Sequence, residues 1–311
     1  MCAIDSGLRR ALRGPVVPVI TPFATDLAID WAAFTSHLER LLAAGIEALL
    51  LADLVGESWA LTMAEKKALF HRAAQTAGGR ALLLGKISES ALASAAELGQ
   101  AAREAGLHAV KVILPAGIRP GEQEALDYLL AAAAPSGLPF MVETNGTEVP
   151  YPVLDRLAER PDFLGIEETS LNLDHFQTLL ERYGEKVPVF CGAEDVLGPE
   201  LLVGAAGFMT ASPNFAPEFM LRLWVAAREG DAVRVRELSG RLRRLRALLK
   251  PELAAGRPAF VTYSKAALAL LGHPAGPPRP PLRSLDSEEM ERLAVVLQEQ
   301  LGVAVTNAPR S

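Results

Sequence analysis

Five ionisable residues stand at or near the ends of apolar runs: Asp53 closes ALLLAD, Lys86 closes ALLLGK, Glu143 lies in PFMVET, and Glu167 and Glu168 close FLGIEE. The segments that follow carry Glu57, Ser58, Arg119, Glu194 and Asp195. Strand ends and the loops after them are where an α/β barrel gathers its reacting groups. Glu143 and Glu167, on adjacent strands, are candidates for an acid/base pair, one carboxyl protonated and the other ionised. A carboxylate buried without a partner costs several kcal/mol or stays protonated, so compensation is required. Lys86 can supply it as a counter-ion, and the same amine, once deprotonated, is a nucleophile. A divalent cation held by Asp53, Glu143 and Glu167 is a second route, suited to hard oxygen ligands and able to stabilise an enolate. No short metal motif supports it, so no metal or other cofactor is assigned. A proton shared between carboxyls is the third. Lys111, inside AVKVILP, is expected to snorkel between helices toward solvent.

Other chemistries find little support. No His falls at an expected strand end: His108 precedes a strand and His175 lies on an outer helix, so the common general base and zinc ligand are both missing there. Cys191 reads as a small buried hydrophobe and Tyr263 as a packing residue. Gly56-Glu57-Ser58 is not a nucleophile elbow, and no phosphate-loop or zinc-finger spacing occurs.

The elements that must position these residues follow a repeat. Apolar runs begin near Pro15, Ala48, Ala81, Ala109, Pro139, Phe163, Val187 and Gly207, spaced 20 to 33 residues apart, each interval holding one crossover helix. Eight such units predict a closed (β/α)8 barrel, and the lack of GxGxxG after the first strand disfavours an open doubly wound sheet. Asp30 and the Thr62–Glu65 capping box open helices, while Gly45, Gly78, Gly106, Gly137 and Gly184 mark their ends. After Ser212 helical patterns take over: Phe219 to Glu229, Asp231 to Lys250 with a basic face at Arg241, Arg243, Arg244 and Arg246, Phe260 to Leu271, and Asp286 to Leu301 beyond a proline-rich linker. The expected organisation is a barrel over residues 1–215 and a C-terminal helical region over 216–311.

The chain has 311 residues, 50% hydrophobic and 22% charged, as a globular protein with a large core requires. A net charge of −6 offers no cationic face for nucleic acid. No apolar run approaches the roughly 18 residues of a membrane span. No signal peptide is read in Met1 to Ser6, and two cysteines, Cys2 and Cys191, make no disulfide framework, so a cytoplasmic setting is expected.

Val19-Ile20-Thr21-Pro22-Phe23, Gly56-Glu57-Ser58, Gly165-Ile166 with Glu168 and Ser170, Ala205 to Gly207, Asn214 with Ala216-Pro217, and Lys265-Ala266-Ala267-Leu268 form a further pattern. With these residues the chain, from about Gly14 to Gly272, resembles the dihydrodipicolinate synthase and N-acetylneuraminate lyase family. The resemblance implies a barrel with C-terminal helices, a homodimer or homotetramer, and a lyase acting on a small oxo acid. It also implies departures. Glu167 stands where the family carries its imine-forming lysine, Glu143 where it carries a proton-shuttling tyrosine, and Leu54-Val55 where it carries a relay of threonines. Pro115-Ala116-Gly117 replaces paired tyrosines, and the loop Asn145-Gly146-Thr147-Glu148 is shorter and lacks the carboxylate-binding arginine. A carboxylate cannot form an imine, so ordinary aldolase chemistry is not expected. The expected site has Glu167, Glu143 and Lys86 in catalytic roles, with Asp53, Gly56, Glu57, Ser58 and Met209 around the substrate and Arg119 or Lys86 binding its carboxylate. The alternatives are a non-catalytic barrel that binds a small molecule or has a regulatory role, and a metal-dependent aldolase or hydratase.

Overall fold

The computed structural model describes residues 6–146, 148–254, 256–302 and 304–306; Cys2 and Thr147 lie outside them. Among these residues the strand segments are β1 Gly14–Pro15, β2 Val17–Pro18, β3 Ala48–Leu51, β4 Leu82–Ile87, β5 Ala109–Val112, β6 Phe140–Thr144, β7 Phe163–Glu168, β8 Val189–Cys191 and β9 Gly207–Phe208. They pair in parallel in the order β1-β9-β8-β7-β6-β5-β4-β3-β2. The two ends of that order are consecutive pieces of one stretch interrupted at Val16, so the sheet closes on itself: Gly14 registers with Gly207 and Val17 with Leu49. The eight expected strands are therefore present, the first in two pieces. At the seam a Cβ on Gly207 would lie 1.9 Å from the Gly14 carbonyl oxygen, a separation only glycine permits.

Helices α1 Ser6–Ala11, α2 Trp31–Ala43, α3 Met63–Ala77, α4 Leu92–Glu104, α5 Glu122–Ala133, α6 Tyr151–Ala158, α7 Leu173–Tyr183 and α8 Leu197–Val203 accompany the strands. Helices α9 Pro217–Arg228, α10 Ala232–Ala254, α11 Ala259–Leu270 and α12 Ser287–Val296 form the C-terminal extension. The side chain of Asp30 caps α2 by accepting from the Ala33 amide, and Thr62 with Glu65 forms the capping box of α3. Gly45, Gly78, Gly106 and Gly137 take left-handed conformations as expected. Gly184 does not: it ends α7 in a right-handed conformation at φ −57°, where a left-handed cap was expected.

Alternation along the strands divides the apolar residues between two cores. Leu50, Leu84, Ala109, Met141, Leu164, Phe190 and Met209 fill the barrel interior. Leu49, Leu83, Val110, Val142, Ile166 and Val189 turn outward against the helices. The extension is stitched to the barrel by the segment after α11. There Phe23 donates to the Ala275 carbonyl, and the Arg279 guanidinium reaches the carbonyls of Leu27 and Ala60 and both oxygens of Glu65. No helix among the described residues is long and apolar enough to cross a membrane.

Candidate active site

The parity that sends Leu84, Ala109 and Met141 into the barrel also sends in Lys86, Lys111 and Glu143, two residues further along each strand. Adjacent strands pair like charges: Lys86 registers with Lys111 across β4 and β5, and Glu143 with Glu167 across β6 and β7. Asp53 joins them from the turn after β3, where Ala52 adopts φ +53°. Packing like charges side by side requires compensation from the facing strands, and the contacts supply it.

The Lys111 ammonium lies 2.5 Å from Glu167 Oε2, 2.9 Å from Glu143 Oε2 and 3.0 Å from Asp53 Oδ2. The Lys86 ammonium lies 2.9 Å from the same Glu143 oxygen and 3.1 Å from the same Asp53 oxygen. Three carboxylate oxygens thus surround Lys111 and two surround Lys86; the hydrogen bonds among these contacts are Lys111 to Glu167 and Lys86 to Glu143. Side-chain exposure is 22% for Glu143 and at most 8% for the other four groups, so Glu143 is the face of the network turned toward the barrel mouth.

These surroundings separate the carboxyl groups. Burial pushes Glu167 up to about 7 despite the opposing charge of Lys111, with Glu143 and Asp53 adding to the rise. Burial also works to raise Glu143 and Asp53, but Lys111 and Lys86 outweigh it and hold both below the usual carboxylate range. Burial disfavours both ammonium charges, yet Asp53 and Glu143 raise Lys86 above its usual value, and with Glu167 they raise Lys111 well above it. Near neutral pH the network therefore carries two ammonium groups, two carboxylates and one carboxyl close to its midpoint.

At the same end of the barrel, a cavity of about 750 Å³ is walled by the loops after β5 and β6, including Arg119, Asn145 and Glu148. Arg119 is exposed and is felt electrostatically by Glu148, whose carboxyl is raised first by burial and then by the charge of Glu143. The cavity rim thus carries an exposed cation, and Glu148 beside it feels both that cation and Glu143.

The structure gathers Glu167, Glu143, Lys86 and Asp53 from the expected set and adds Lys111. Lys111 does not snorkel outward. It is 1% exposed and points into the barrel, because residue 111 shares the inward parity of Ala109 and meets three carboxylates there. That parity was the signal in the sequence that could have placed it. The carboxylates of the alternative cation cage, Asp53, Glu143 and Glu167, converge on an ammonium group, and among the described residues no cluster of His, Cys, Asp or Glu has the arrangement of a metal site.

Gly56, Glu57, Ser58 and Met209 do not join the ion network, and neither they nor the network residues are among those that wall the cavity. Glu57, fully buried at φ +60°, pairs with Lys265 at 2.6 Å and accepts from the Arg279 amide at 2.7 Å, joining the barrel to its extension. Gly56 packs against the Val19 carbonyl, Ser58 is buried, and Met209 belongs to the interior core. Glu194 and Asp195 face Arg246 of α10, so part of that helix's basic face is satisfied within the chain. Cys191 is buried, with its thiol raised well above the ordinary range by burial and by Glu200.

The sequence profile of the dihydrodipicolinate synthetase family matches residues 11–300. A 4-hydroxy-tetrahydrodipicolinate synthase of Streptomyces coelicolor is 33% identical over 87% of this chain and 88% of that protein. An uncharacterized DapA-like lyase of Halobacterium salinarum is 28% identical over 96% of this chain and 97% of its own length. Among solved structures, dihydrodipicolinate synthase from Aquifex aeolicus superposes with a TM-score of 0.86 at 26% identity, covering 95% of this chain and 100% of that one. A prophage protein of the dihydrodipicolinic acid synthase family from E. coli K12, solved with pyruvate, gives 0.85 at 26% identity over 94% and 99% of the two chains.

Proposed function

Because this chain belongs to the dihydrodipicolinate synthetase family, we propose that it is a lyase of the aldolase or dehydratase type that acts on a small oxo acid by carboxylate chemistry. The observation that carries this reading is the division of protonation states between Glu143 and Glu167. These neighbours share Lys111, yet one is held ionised and the other sits at about 7. Carboxyls whose surroundings push them apart can divide base and acid roles. Glu143, open to the mouth, removes a proton from the carbon beside the substrate carbonyl. Glu167 gives a proton to the β-hydroxyl, which leaves as water in a dehydration, or to the oxygen of the carbonyl that the enolate attacks in an aldol addition. Lys86, whose hydrogen bond in the network goes to Glu143, donates to the developing enolate oxygen, and a positive donor aimed at growing negative charge is the largest single aid such a reaction receives. Arg119 supports the same reading as an exposed cation for the substrate's carboxylate.

By the resemblance, Glu167 takes the position of the family's imine lysine. The two lysines of this site are both raised and paired, which removes the free amine an imine needs. No covalent adduct is therefore part of the proposed reaction. The assembly proposed is a homodimer or homotetramer in the cytoplasm.

The test is deuterium incorporation from D2O beside the carbonyl of pyruvate and of longer oxo acids, followed by proton NMR. Parallel samples are treated with borohydride and weighed intact, with Glu143→Gln, Lys86→Met and Lys111→Met variants alongside. Incorporation that Glu143→Gln abolishes, without a mass gain in any sample, supports the reading. A mass gain lost in one lysine variant replaces it with imine chemistry. Neither signal leaves a barrel that binds without transforming, a reading favoured by the near-complete burial of Lys86, Lys111, Asp53 and Glu167.

A further inference from the structure

Glu167 and Glu168 are consecutive on β7 and so face opposite sides of the sheet. Glu167 enters the barrel network. Glu168, fully buried, enters the layer beneath α6 and α7 and has no lysine or arginine ion pair there among the described residues. Its partners are of another kind. One carboxylate oxygen accepts from the Ser170 amide at 2.6 Å and the Gly146 amide at 3.2 Å. The other faces His175 Nε2 at 3.4 Å, an electrostatic approach and not a hydrogen bond, and the opposite ring nitrogen of His175 is hydrogen-bonded to the Tyr151 hydroxyl at 2.7 Å. Tyr151 is the first residue of α6, and its ring is covered by the Arg182 guanidinium at 4.8 Å.

This chain of groups connects the ends of the two strands that carry the proposed acid and base. Gly146 follows the last residue of β6 by two positions, and Ser170 follows the last residue of β7 by two. Between them, the Thr169 amide and hydroxyl both donate to the Thr144 carbonyl, at 2.9 and 3.1 Å. Asn145 and Glu148 of the same loop wall the large cavity. A carboxylate accepting two amides from different loops fixes both in one geometry. His175 and Tyr151 extend that restraint to the start of the next helix.

We propose that Glu168, His175 and Tyr151 are positioning residues. They hold the ends of β6 and β7 in register, so that Glu143 and Glu167 both reach Lys111, and they set the wall of the cavity at Asn145 and Glu148. The consequence for chemistry rests on the function proposed above, but the restraint itself is a property of the fold and can be read without any substrate.

The experiment is hydrogen exchange followed by mass spectrometry on the full chain, comparing wild type with Tyr151→Phe, which removes only the hydroxyl, and His175→Leu, with His175→Gln as the conservative replacement. The expected result is exchange faster by about tenfold in the segments 143–150 and 168–171, with protection of β3, β4 and β5 unchanged and His175→Gln near wild type. Unchanged exchange of those segments in both Tyr151→Phe and His175→Leu overturns the proposal. So does acceleration spread evenly over the barrel, which marks a general loss of stability. Deuterium incorporation into an oxo acid by the wild-type chain is a separate measurement, so failure of the proposed reaction and failure of this restraint are told apart.

Discussion

Two buried lysine clusters in this chain face opposite electrostatic outcomes. In the barrel, Lys111 meets three carboxylates and is raised well above its usual value. At the joint with the extension, Lys265 is almost as buried but meets only Glu57, shares its surroundings with Arg279, and is lowered to about 8. The Lys265 ammonium also donates to the Pro277 carbonyl at 3.0 Å and sits 4.0 Å from the centre of the Phe23 ring. The difference shows that burial alone does not set the charge of an interior lysine. The number of opposing charges does, and a single carboxylate beside a second cation is too few to offset desolvation.

The largest effect that can break this comparison is expected from Lys111→Met. Three carboxyls would then face Lys86 alone, and uncompensated buried charge should cost about 3–5 kcal/mol in urea unfolding at pH 7. Adding Glu167→Gln should restore part of that loss; a single variant as stable as wild type would refute the account of the network. Lys265→Met should cost less, about 1–3 kcal/mol, because it strands Glu57 but removes a charge that the fold already disfavours. Its pH dependence has a definite sign. Because the folded-state value of Lys265 lies below its usual value of 10.5, at about 8, this group's contribution to stability rises as pH increases from 8 toward 10.5 and is lost as pH falls through 8. Wild type should therefore gain on Lys265→Met over that window, and parallel curves would show that Lys265 keeps an ordinary proton affinity.

A carboxyl provides the mirror case. Glu200 of α8 is buried beside Cys191, neither of its oxygens has an ordinary hydrogen-bond partner among the described residues, and burial pushes it up to about 8. Stability from such a group is full below its usual value of 4.5 and is lost as pH rises from there through 8. Glu200→Gln should remove that loss and raise the melting temperature at pH 8 by about 2–4 °C, with little change at pH 4.5. An equal shift at both pH values would point to packing instead. The smallest effect concerns the proposed reaction: loss of water from a β-hydroxy oxo acid should slow gradually above pH 7 as Glu167 loses its proton, and a rate still rising through pH 9 would remove Glu167 from the acid role.

The barrel was legible because it rests on periodicity. Short apolar runs at regular intervals, a capping box at Thr62 and Glu65, and glycines at helix ends are local signals, and local sterics decide them. The site was legible where a charge stood at a strand end, as for Asp53, Lys86, Glu143 and Glu167. Lys111 was misplaced because one lysine in an apolar run gives no side by itself; the side comes from counting parity against Ala109 and from three partners distant in sequence. Glu57 was expected at the rim, and its actual partner, Lys265, lies more than 200 residues away in a helix whose docking no local pattern specifies. Glu168, His175 and Tyr151 were individually visible, but nothing in their spacing announces that they meet.

The clamp made by Arg279 also orders events in time. The loops it fastens, at Leu27, Ala60 and Glu65, leave the ribosome more than 200 residues before the guanidinium that holds them. Contacts so distant in sequence close late, after the loop between them has lost its freedom. During synthesis, then, the first two β/α units wait with that corner of the mouth unfastened. A nascent chain stopped short of residue 279 should hold a largely formed barrel wall around an entrance not yet in its final shape.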